Sequence, residues 1–170
     1  MVTTNKYMFF WGEFCSQWYT AKMVIDGIEY NTCEQYMMHQ KALLFKDNEI
    51  AAKIMATKNP EQQKALGRQI KNFDRAKWDK HCLAIVYKGN LAKFTQNEDL
   101  KELLLATGDR LIVEASPVDF IWGIGLSERS ESAKDPANWM GTNLLGWAIT
   151  LVKHELKNIE NGKDNSNNDN

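Results

Sequence analysis

The chain has 170 residues, six of them Trp, and balances 21 Lys and Arg against 22 Asp and Glu for a formal net charge of −1. This length predicts one domain with a sizeable core, and the balanced charge argues against a dedicated polyanion-binding protein. No apolar run is as long as the about 20 residues that a helix needs to cross a membrane. The N-terminal sequence lacks a signal-peptide pattern. We therefore expect a cytoplasmic protein.

Three cysteines and three histidines are scattered along the chain. Cys15, Cys33 and Cys82 form no CxxC pair, and the histidines form no HExxH pair. An odd number of separated cysteines argues against a disulfide framework, and this spacing is not that of a zinc site. We expect buried thiols and neither a bound metal nor a cofactor.

The first thirty residues predict β-structure. Residues 7–11 form an aromatic run, and two β-favouring segments, 22–25 and 28–30, flank Asp26-Gly27. Asp-Gly is a strong hairpin signal because both positions of the turn require a positive φ. We predict a strand followed by a hairpin.

Five helices are predicted from residue 32 onward, most with a recognisable start. Residues 32–35 (TCEQ) match the capping box, in which a hydroxyl and a carboxamide satisfy free amides reciprocally. Asp47 and Asp74 are typical N-caps, and Asn59-Pro60 places proline at the first helical position. The fifth helix is predicted over residues 97–105.

The C-terminal third mixes short apolar segments with polar loops. Residues 111–113 predict a strand, and residues 120–125 predict a second strand-like run. Residues 127–143 form a polar loop, and a loop of that length is often functional. A final amphipathic helix is predicted over residues 144–157.

The last residues are polar and rich in Asn. They offer no apolar side chain to bury, so we expect them to be disordered. The folded domain is predicted to span residues 1–157, with residues 158–170 as the tail.

The first helix carries a mixed face. Glu34, Met37, Met38, Lys41 and Phe45 fall on one stripe of a 3.6-residue period. A carboxylate and an ammonium two turns apart suit the rim of a pocket. They also suit a partly exposed pair around a core stripe, which is the more common arrangement and the one that composition alone favours.

Three acidic residues flank apolar segments in the second half of the chain. Asp109, Glu114 and Asp119 are candidates for desolvated carboxyl groups whose raised pKa would suit general-acid chemistry. Ordinary loop capping is the competing interpretation for each of them.

A third group combines amide, aromatic and cationic side chains. Trp139 offers a stacking plane, Asn138 and Asn143 offer donors and acceptors near a helix N-terminus, and Arg68 offers a bidentate fork for phosphate. Gly123 permits close backbone approach to a ligand. These residues predict a polar and aromatic pocket for a stackable, phosphorylated ligand.

Six motifs, in order along the chain, resemble the NADAR family, whose best-known branch is the YbiA-like N-glycosidases. The motifs are TCEQYMMHQKA (32–42), LGR (66–68), TGD (107–109), VEASP (113–117), DFIWGIG (119–125) and WMGTNLLG (139–146). The resemblance runs from about residue 7 to residue 157. It implies a single, mostly helical α+β domain with a small β-sheet.

The resemblance also implies an activity. YbiA-like members are associated with hydrolysis of the C–N glycosidic bond of ribosylamino-pyrimidine 5-phosphates, early intermediates of riboflavin biosynthesis. The implied partner is therefore a small phosphorylated ribosyl substrate, and no association with a membrane is expected. Two alternatives stay open: removal of ADP-ribose from guanine in nucleic acid, and a non-catalytic module that binds ADP-ribose.

The family motifs suggest roles for individual residues. Glu34 is assigned to the sugar side, Asp119 to activating water or protonating the base, with the two roles exchangeable. Lys41 either forms a Schiff base with a ring-opened sugar or pairs its charge with Glu34 or a phosphate. The expected substrate-binding residues are Trp18, Arg68, Trp122, Gly123, Asn138, Trp139 and Asn143.

One departure from the family lies near the start, where many relatives have Ser-Asn-Phe and this chain has Ser16, Gln17 and Trp18. The larger side chains are expected to affect selectivity for the leaving base. Trp18, Trp122 and Trp139 are expected to be pocket walls, whereas Trp11, Trp78 and Trp147 are expected in the core.

Overall fold

Residues 1–167, which the computed structural model describes, form five short strands, six α-helices and two 3-10 turns. This mixed content confirms the predicted α+β class. The contacts divide the chain into two compact units: Ser16–Asn97, and Met1–Cys15 together with the chain from Glu98 onward.

The strands are β1 (Val2–Thr3), β2 (Tyr7–Phe10), β3 (Met23–Ile25), β4 (Ile28–Tyr30) and β5 (Leu111–Glu114). The helices are α1 (Cys33–Leu44), α2 (Asn48–Ala56), α3 (Pro60–Gly67), α4 (Arg75–Gln96), α5 (Glu98–Leu105) and α6 (Leu144–Asn167). The 3-10 turns are Glu131–Lys134 and Pro136–Asn138.

The unit Ser16–Asn97 consists of the β3–β4 hairpin and four helices. Asp26 and Gly27 both adopt positive φ, at 51° and 79°, so the hairpin forms at the predicted Asp-Gly turn. Helix α1 packs against α2, α3 and α4, and β3 packs against α4. Met23, Tyr30 and Tyr36 contribute to the buried cluster between hairpin and helices.

Side-chain caps start the helices of this unit where the sequence predicts them. Asp47, Asn59 and Asp74 accept hydrogen bonds from backbone amides of the first turns of α2, α3 and α4. At α1, Thr32 accepts from the Gln35 amide, but the Gln35 carboxamide accepts from Asn31 N–H rather than from Thr32. The second hydrogen bond of the capping box, which the Gln35 side chain accepts, therefore comes from the residue before Thr32.

The second unit is organised around a three-stranded sheet in the order β1-β2-β5. Strand β1 is antiparallel to β2, and β5 is parallel to β2 with Phe9 opposite Val113. Helix α6 packs on β5 and contacts α5. Phe9, Val113, Ile124 and Ala133 are buried together as the core beside the sheet.

Side chains from the start of α6 satisfy the edge of β5 that faces away from β2. The Ile112 amide donates to Thr150 Oγ1, and the Ile112 carbonyl accepts from Asn143 Nδ2. The Glu114 amide donates to Asn143 Oδ1. Unpaired groups on a strand edge otherwise favour pairing with another chain, so these bonds close the small sheet.

The predicted strand at residues 120–125 does not form. Asp119 instead folds the chain into a tight turn, since its Oδ1 accepts from the amides of Ile121 and Trp122. Gly125 then adopts a φ of 70°. Only the end of the apolar run, residues 123–125, is buried, and it is buried by turns rather than by a sheet, while Phe120 and Ile121 are exposed. Periodicity alone does not distinguish these arrangements.

Helix α6 is longer than predicted and runs to Asn167 rather than to Lys157. Once packing has formed the first turns of a helix, each added residue costs little, and no proline interrupts this stretch. Residues 158–167 are thus helical rather than disordered. The remaining part of the predicted tail, residues 168–170, lies outside the described residues.

The expected core tryptophans separate into two groups. Trp78 is buried, as predicted, but Trp11 is 57% exposed and Trp147 is 47% exposed. Trp147 lies on the solvent side of α6, so its place in an amphipathic segment did not indicate its burial.

The three cysteines are buried free thiols, as expected. Among the described residues, no helix is both long enough and apolar enough to cross a bilayer.

A fully buried lysine joins α6 to the turn that precedes β5. Lys153 Nζ donates to Thr107 Oγ1 at 3.1 Å and to the Arg110 carbonyl. Burial is the largest influence on the pKa of Lys153 and, together with the charge of Lys157, lowers it from 10.5 to about 8 against the opposing effect of Asp109. Folding therefore favours the neutral amine at alkaline pH.

We expect stability to respond to this group in a defined pH window. Between pH 8 and 10.5 the unfolded chain retains the Lys153 proton and the folded chain has lost it, so the free energy of unfolding rises with pH. The rise is at most about 3 kcal/mol. Denaturant unfolding of wild type and Lys153→Met across this window isolates the effect, because other groups titrate in both proteins. If the free energies of unfolding of the two proteins changed in parallel with pH, the assignment would be contradicted.

Candidate functional site

Glu34 lies in the first turn of α1 and is buried, 6% exposed. Thr32 caps the helix, and the Glu34 amide donates to the Gln17 carbonyl at 3.0 Å. The loop that contains Gln17 therefore fixes the position of the turn that carries the carboxylate.

Two polar residues of α4 hold the loop of residues 16–18. The fully buried Lys93 donates from Nζ to the Ser16 carbonyl at 2.9 Å, and Asn90 Nδ2 donates to Gln17 Oε1 at 2.8 Å. Trp18 follows with its side chain 41% exposed and Lys64 Nζ 5.7 Å from the centre of its ring. Trp18 therefore offers a ring face at the surface near the start of α1.

Sequence reasoning missed Lys93 and Asn90, although a signal existed. Trp78, Cys82 and Val86 mark the buried stripe of α4, and Asn90 and Lys93 continue it at helical spacing. Polar residues on a buried stripe require polar partners. Here those partners belong to the loop that supports Glu34.

Lys41 lies on α1 seven residues after Glu34 and is half-buried. Its Nζ donates to the Gly67 carbonyl at 3.0 Å. The same atom lies 4.5 Å from the centre of the Phe73 ring and 5.5 Å from that of Trp78. The ammonium is thus held between a carbonyl oxygen and two aromatic faces.

Burial is the largest influence on Lys41 and lowers its pKa. Glu34 raises this pKa through its charge, whereas Arg68 and Arg75 lower it. A lysine with a lowered pKa is a better nucleophile near neutral pH than an exposed lysine, because more of it is the free amine.

Arg68 is exposed and follows the last residue of α3, and its backbone amide donates to the Lys64 carbonyl. Its charge acts on Lys41, as does that of Glu34. Arg68 directly follows Gly67, whose carbonyl accepts from Lys41 Nζ, and Glu34 lies on the same helix as Lys41.

In the other unit, Asp119 has a fixed carboxylate. Oδ1 accepts from Ile121 N–H at 2.9 Å and from Trp122 N–H at 2.7 Å. Among residues 1–161, whose side chains the structure describes, no group donates a hydrogen bond to Oδ2. One oxygen therefore orients the side chain and the other stays available to water or a substrate.

The turn that contains Asp119 is joined to the segment before α6 by backbone hydrogen bonds. The amides of Asn143 and Leu145 donate to the carbonyls of Gly123 and Trp122. A Cβ at Gly123 would lie 2.9 Å from the Glu114 carbonyl oxygen. Gly123 is therefore required for backbone packing, and Trp122 is half-buried beside it.

Asn143 is fully buried with a φ of 53°, and its amide is engaged by β5. Trp139 is half-buried, donates from Nε1 to the Ala133 carbonyl at 2.8 Å and contacts the Tyr7 ring. Asn138 is exposed at the end of a 3-10 turn. Asn143 and Trp139 thus shape the framework, and Asn138 is set apart at the surface.

The other acidic candidates differ from the expectation. Asp109 is 98% exposed, and its hydrogen bond with Lys157 lowers rather than raises its pKa. A solvated carboxylate paired with an ammonium is a poor general acid at neutral pH. Glu114 is half-buried on β5. No three His, Cys, Asp or Glu side chains gather into a metal-binding set within the described part of the chain.

Comparison with known proteins identifies the family. Residues 9–157 match the NADAR domain. N-glycosidase R617 of Acanthamoeba polyphaga mimivirus is 44% identical, with 89% of this chain and 97% of the relative covered. N-glycosidase Npun_R5314 of Nostoc punctiforme is 38% identical, with coverages of 79% and 80%. The riboflavin biosynthesis protein VVA0006 of Vibrio vulnificus is 27% identical, and the match covers 85% of this chain and 35% of that protein.

A solved structure shares the fold. The NMR structure of the E. coli protein YbiA superimposes with a TM-score of 0.76, covering 94% of this chain and 89% of YbiA at 24% sequence identity. This likeness confirms the α+β architecture predicted from the motifs.

Gly146 tests the support of the Asn143 segment. A Cβ at Gly146 would overlap the Ile112 carbonyl oxygen and the Asn143 amide. We expect Gly146→Ala to lower the free energy of unfolding by about 2 kcal/mol or more. Gly12→Ala is the matched control, since a Cβ there meets nothing within 4 Å, and it should change stability by less than about 0.5 kcal/mol. Equal stabilities in urea unfolding would contradict the packing described.

Proposed function

Because this chain belongs to the NADAR family, we propose that it hydrolyses the C–N glycosidic bond of ribosylamino-pyrimidine 5-phosphates, early intermediates of riboflavin biosynthesis. The products are ribose 5-phosphate and the free base. The N-glycosidase names of two relatives support the reaction class, and the riboflavin biosynthesis name of a third supports the substrate class. The observation that carries the proposal is that α1 carries the buried Glu34 and the half-buried Lys41, whose Nζ binds the Gly67 carbonyl next to Arg68.

Breaking an N-glycosidic bond creates charge on both fragments. Positive charge grows on the sugar while negative charge grows on the departing nitrogen. A carboxylate beside the anomeric carbon stabilises the first, and a proton donor stabilises the second. We assign Glu34 to the sugar because it is buried and held by the capped first turn of α1.

Asp119 is assigned to the water or the leaving base. Its Oδ1 is held by two amides, so Oδ2 is presented in a fixed direction. A carboxylate takes a proton from the attacking water, or in its protonated form gives one to the base. The two carboxylate roles are exchangeable, and in either case the water oxygen bonds to C1 and a proton leaves with the base.

Lys41 gives the mechanism a covalent form. In the ring-opened substrate, C1 is doubly bonded to the base nitrogen and the free amine of Lys41 adds to C1. Both amine protons pass to the departing nitrogen, the C1–N bond to the base breaks, the base leaves as its free amine, and a lysine imine remains. Water then hydrolyses the imine to ribose 5-phosphate and the regenerated amine. The alternative is electrostatic: the protonated lysine, with Arg68, binds the substrate phosphate.

The remaining predicted residues are proposed to bind or position the substrate. Trp18 presents an exposed ring face for stacking, and Trp122 is the second candidate wall. Gly123 and Asn143 are proposed to hold the Asp119 turn in shape. Trp139 is proposed to support the polar loop of residues 127–143 through its hydrogen bond to the Ala133 carbonyl. Asn138 is proposed to border that loop.

Carboxylate substitutions test the reaction. Glu34→Gln and Asp119→Asn should each lower kcat by about 100-fold or more, since each removes an acid–base group. Glu61 is the second residue of α3, as Glu34 is of α1, so Glu61→Gln is the matched control for Glu34→Gln. Asp135 accepts from the Ala137 amide in a tight turn, so Asp135→Asn is the matched control for Asp119→Asn. Both controls should retain activity. Mass spectrometry of free ribose 5-phosphate and free base measures turnover.

The same assay separates the alternatives. Activity only on ADP-ribosylated guanine in DNA, with release of ADP-ribose, would replace the proposed substrate. Binding of ADP-ribose without turnover by either wild type or Glu34→Gln would instead identify a binding module. Full activity of both carboxylate variants would contradict the assigned roles.

Borohydride reduction distinguishes the two roles of Lys41. In the covalent mechanism, reduction during turnover inactivates the enzyme and adds a reduced ribose 5-phosphate to Lys41, detected by peptide mass spectrometry. Lys41→Arg keeps the charge and should abolish both the adduct and turnover. Turnover by Lys41→Arg, with no adduct in wild type, would leave the electrostatic role.

A further inference from the structure

We propose that Phe73 is a positioning residue that shields the Lys41 amine from water and so maintains it as a nucleophile. The proposal rests on the proposed function only in making Lys41 the reacting amine. Phe73 lies in the connection between α3 and α4, and no sequence motif pointed to it.

The ring of Phe73 covers the end of the Lys41 side chain. Lys41 Nζ is 4.5 Å from the ring centre, closer than to Trp78 at 5.5 Å. The third neighbour is the Gly67 carbonyl at 3.0 Å. Phe73 itself is 44% exposed, so it separates Lys41 from solvent without belonging to the core.

Two contacts and one backbone turn hold the Phe73 segment in place. The ring packs on Phe45 with centroids 5.2 Å apart. The preceding Asn72 adopts a φ of 57°, which turns the chain. The Lys71 amide donates to Asp47 Oδ2 at 2.9 Å, while Asp47 Oδ1 caps α2. The side chain of Asp47 thus ties the segment to a helix start.

The charges around Lys41 come from each element beside it. Glu34 on α1 favours the ammonium, and Arg68 after α3 and Arg75 on α4 disfavour it. On α4, Lys77 Nζ donates to the Leu44 carbonyl and lies 5.5 Å from the Phe45 ring. Of the three charges, Glu34 has the largest effect on the pKa of Lys41, and the two arginines oppose it.

An aromatic ring acts on an ammonium in two opposite ways. Its face attracts the cation, which stabilises the charged form, whereas its volume displaces water, which destabilises the charged form. Burial is the largest influence on Lys41 and lowers its pKa. Lys41 is half-buried with the Gly67 carbonyl as the hydrogen-bond acceptor of its Nζ, and we expect displacement of water to outweigh attraction to the ring. Removing the ring should then make Lys41 less nucleophilic near neutral pH.

Pulsed acetylation with acetic anhydride from pH 6 to 11 measures this directly. The extent of labelling at Lys41, read by peptide mass spectrometry, is normalised to the exposed Lys58. Phe73→Ala removes the cover, and Phe73→Tyr restores it. Asp47→Ser keeps a capping oxygen for α2 but withdraws the acceptor from the Lys71 amide. Leu43→Ala, an exposed position on α1, is the matched control.

We expect Phe73→Ala to move the labelling midpoint of Lys41 to higher pH and to slow its labelling severalfold near pH 8. Asp47→Ser should move the midpoint in the same direction, and Phe73→Tyr and Leu43→Ala should match wild type. An unchanged midpoint in both Phe73→Ala and Asp47→Ser would overturn the proposal. A midpoint moved to lower pH would also overturn it, since attraction to the ring would then dominate.

Failure of this proposal is distinguishable from failure of the proposed function. Labelling uses the enzyme without substrate, so a shifted midpoint with no turnover would reject the glycosidase and retain the role of Phe73. Turnover with an unshifted labelling midpoint would reject the role of Phe73 and retain the glycosidase. When both hold, the alkaline pH dependence of kcat/KM in Phe73→Ala should move with the labelling midpoint.

Discussion

Lysine ammonium groups withdrawn from water and bound to backbone carbonyls hold the connecting segments of this protein. Lys153 binds the turn before β5, Lys93 binds the loop before α1, and Lys41 binds the end of α3. Turns leave carbonyls without regular partners, and a buried ammonium is tolerated only where such acceptors meet it. The same contact that removes an ammonium from water also fixes the segment that supplies the oxygen.

This constraint links the framework to the proposed chemistry. Lys93 is fully buried and supports the loop beside Glu34, whereas Lys41 is half-buried and has aromatic rings on its open side. A lysine that is entirely enclosed serves structure, since no substrate reaches it. A lysine that is desolvated yet still reachable has the properties needed of a nucleophile.

Much of the secondary structure was predictable because its signals are local. Caps such as Thr32 and Asp74 and the Asp26-Gly27 turn act through their own neighbours, so the elements begin where the sequence indicates. The strand predicted at residues 120–125 failed because Asp119 captures the next amides first. For the candidate site, the family motifs predict Glu34 and Lys41, whereas no motif marks Phe73. Lys93 continues the buried stripe of α4, but packing decides that it contacts the loop of residues 16–18.

The sequence by itself determined the helix starts, the hairpin and the family, because each depends on residue types at short or fixed spacing. Only the tertiary structure decided which lysines are buried, that Asn143 completes the edge of β5, and that Trp11 and Trp147 face solvent. Those properties depend on which segments approach one another through packing, and a side chain's pKa or hydrogen-bond partner follows from that approach rather than from its neighbours along the chain.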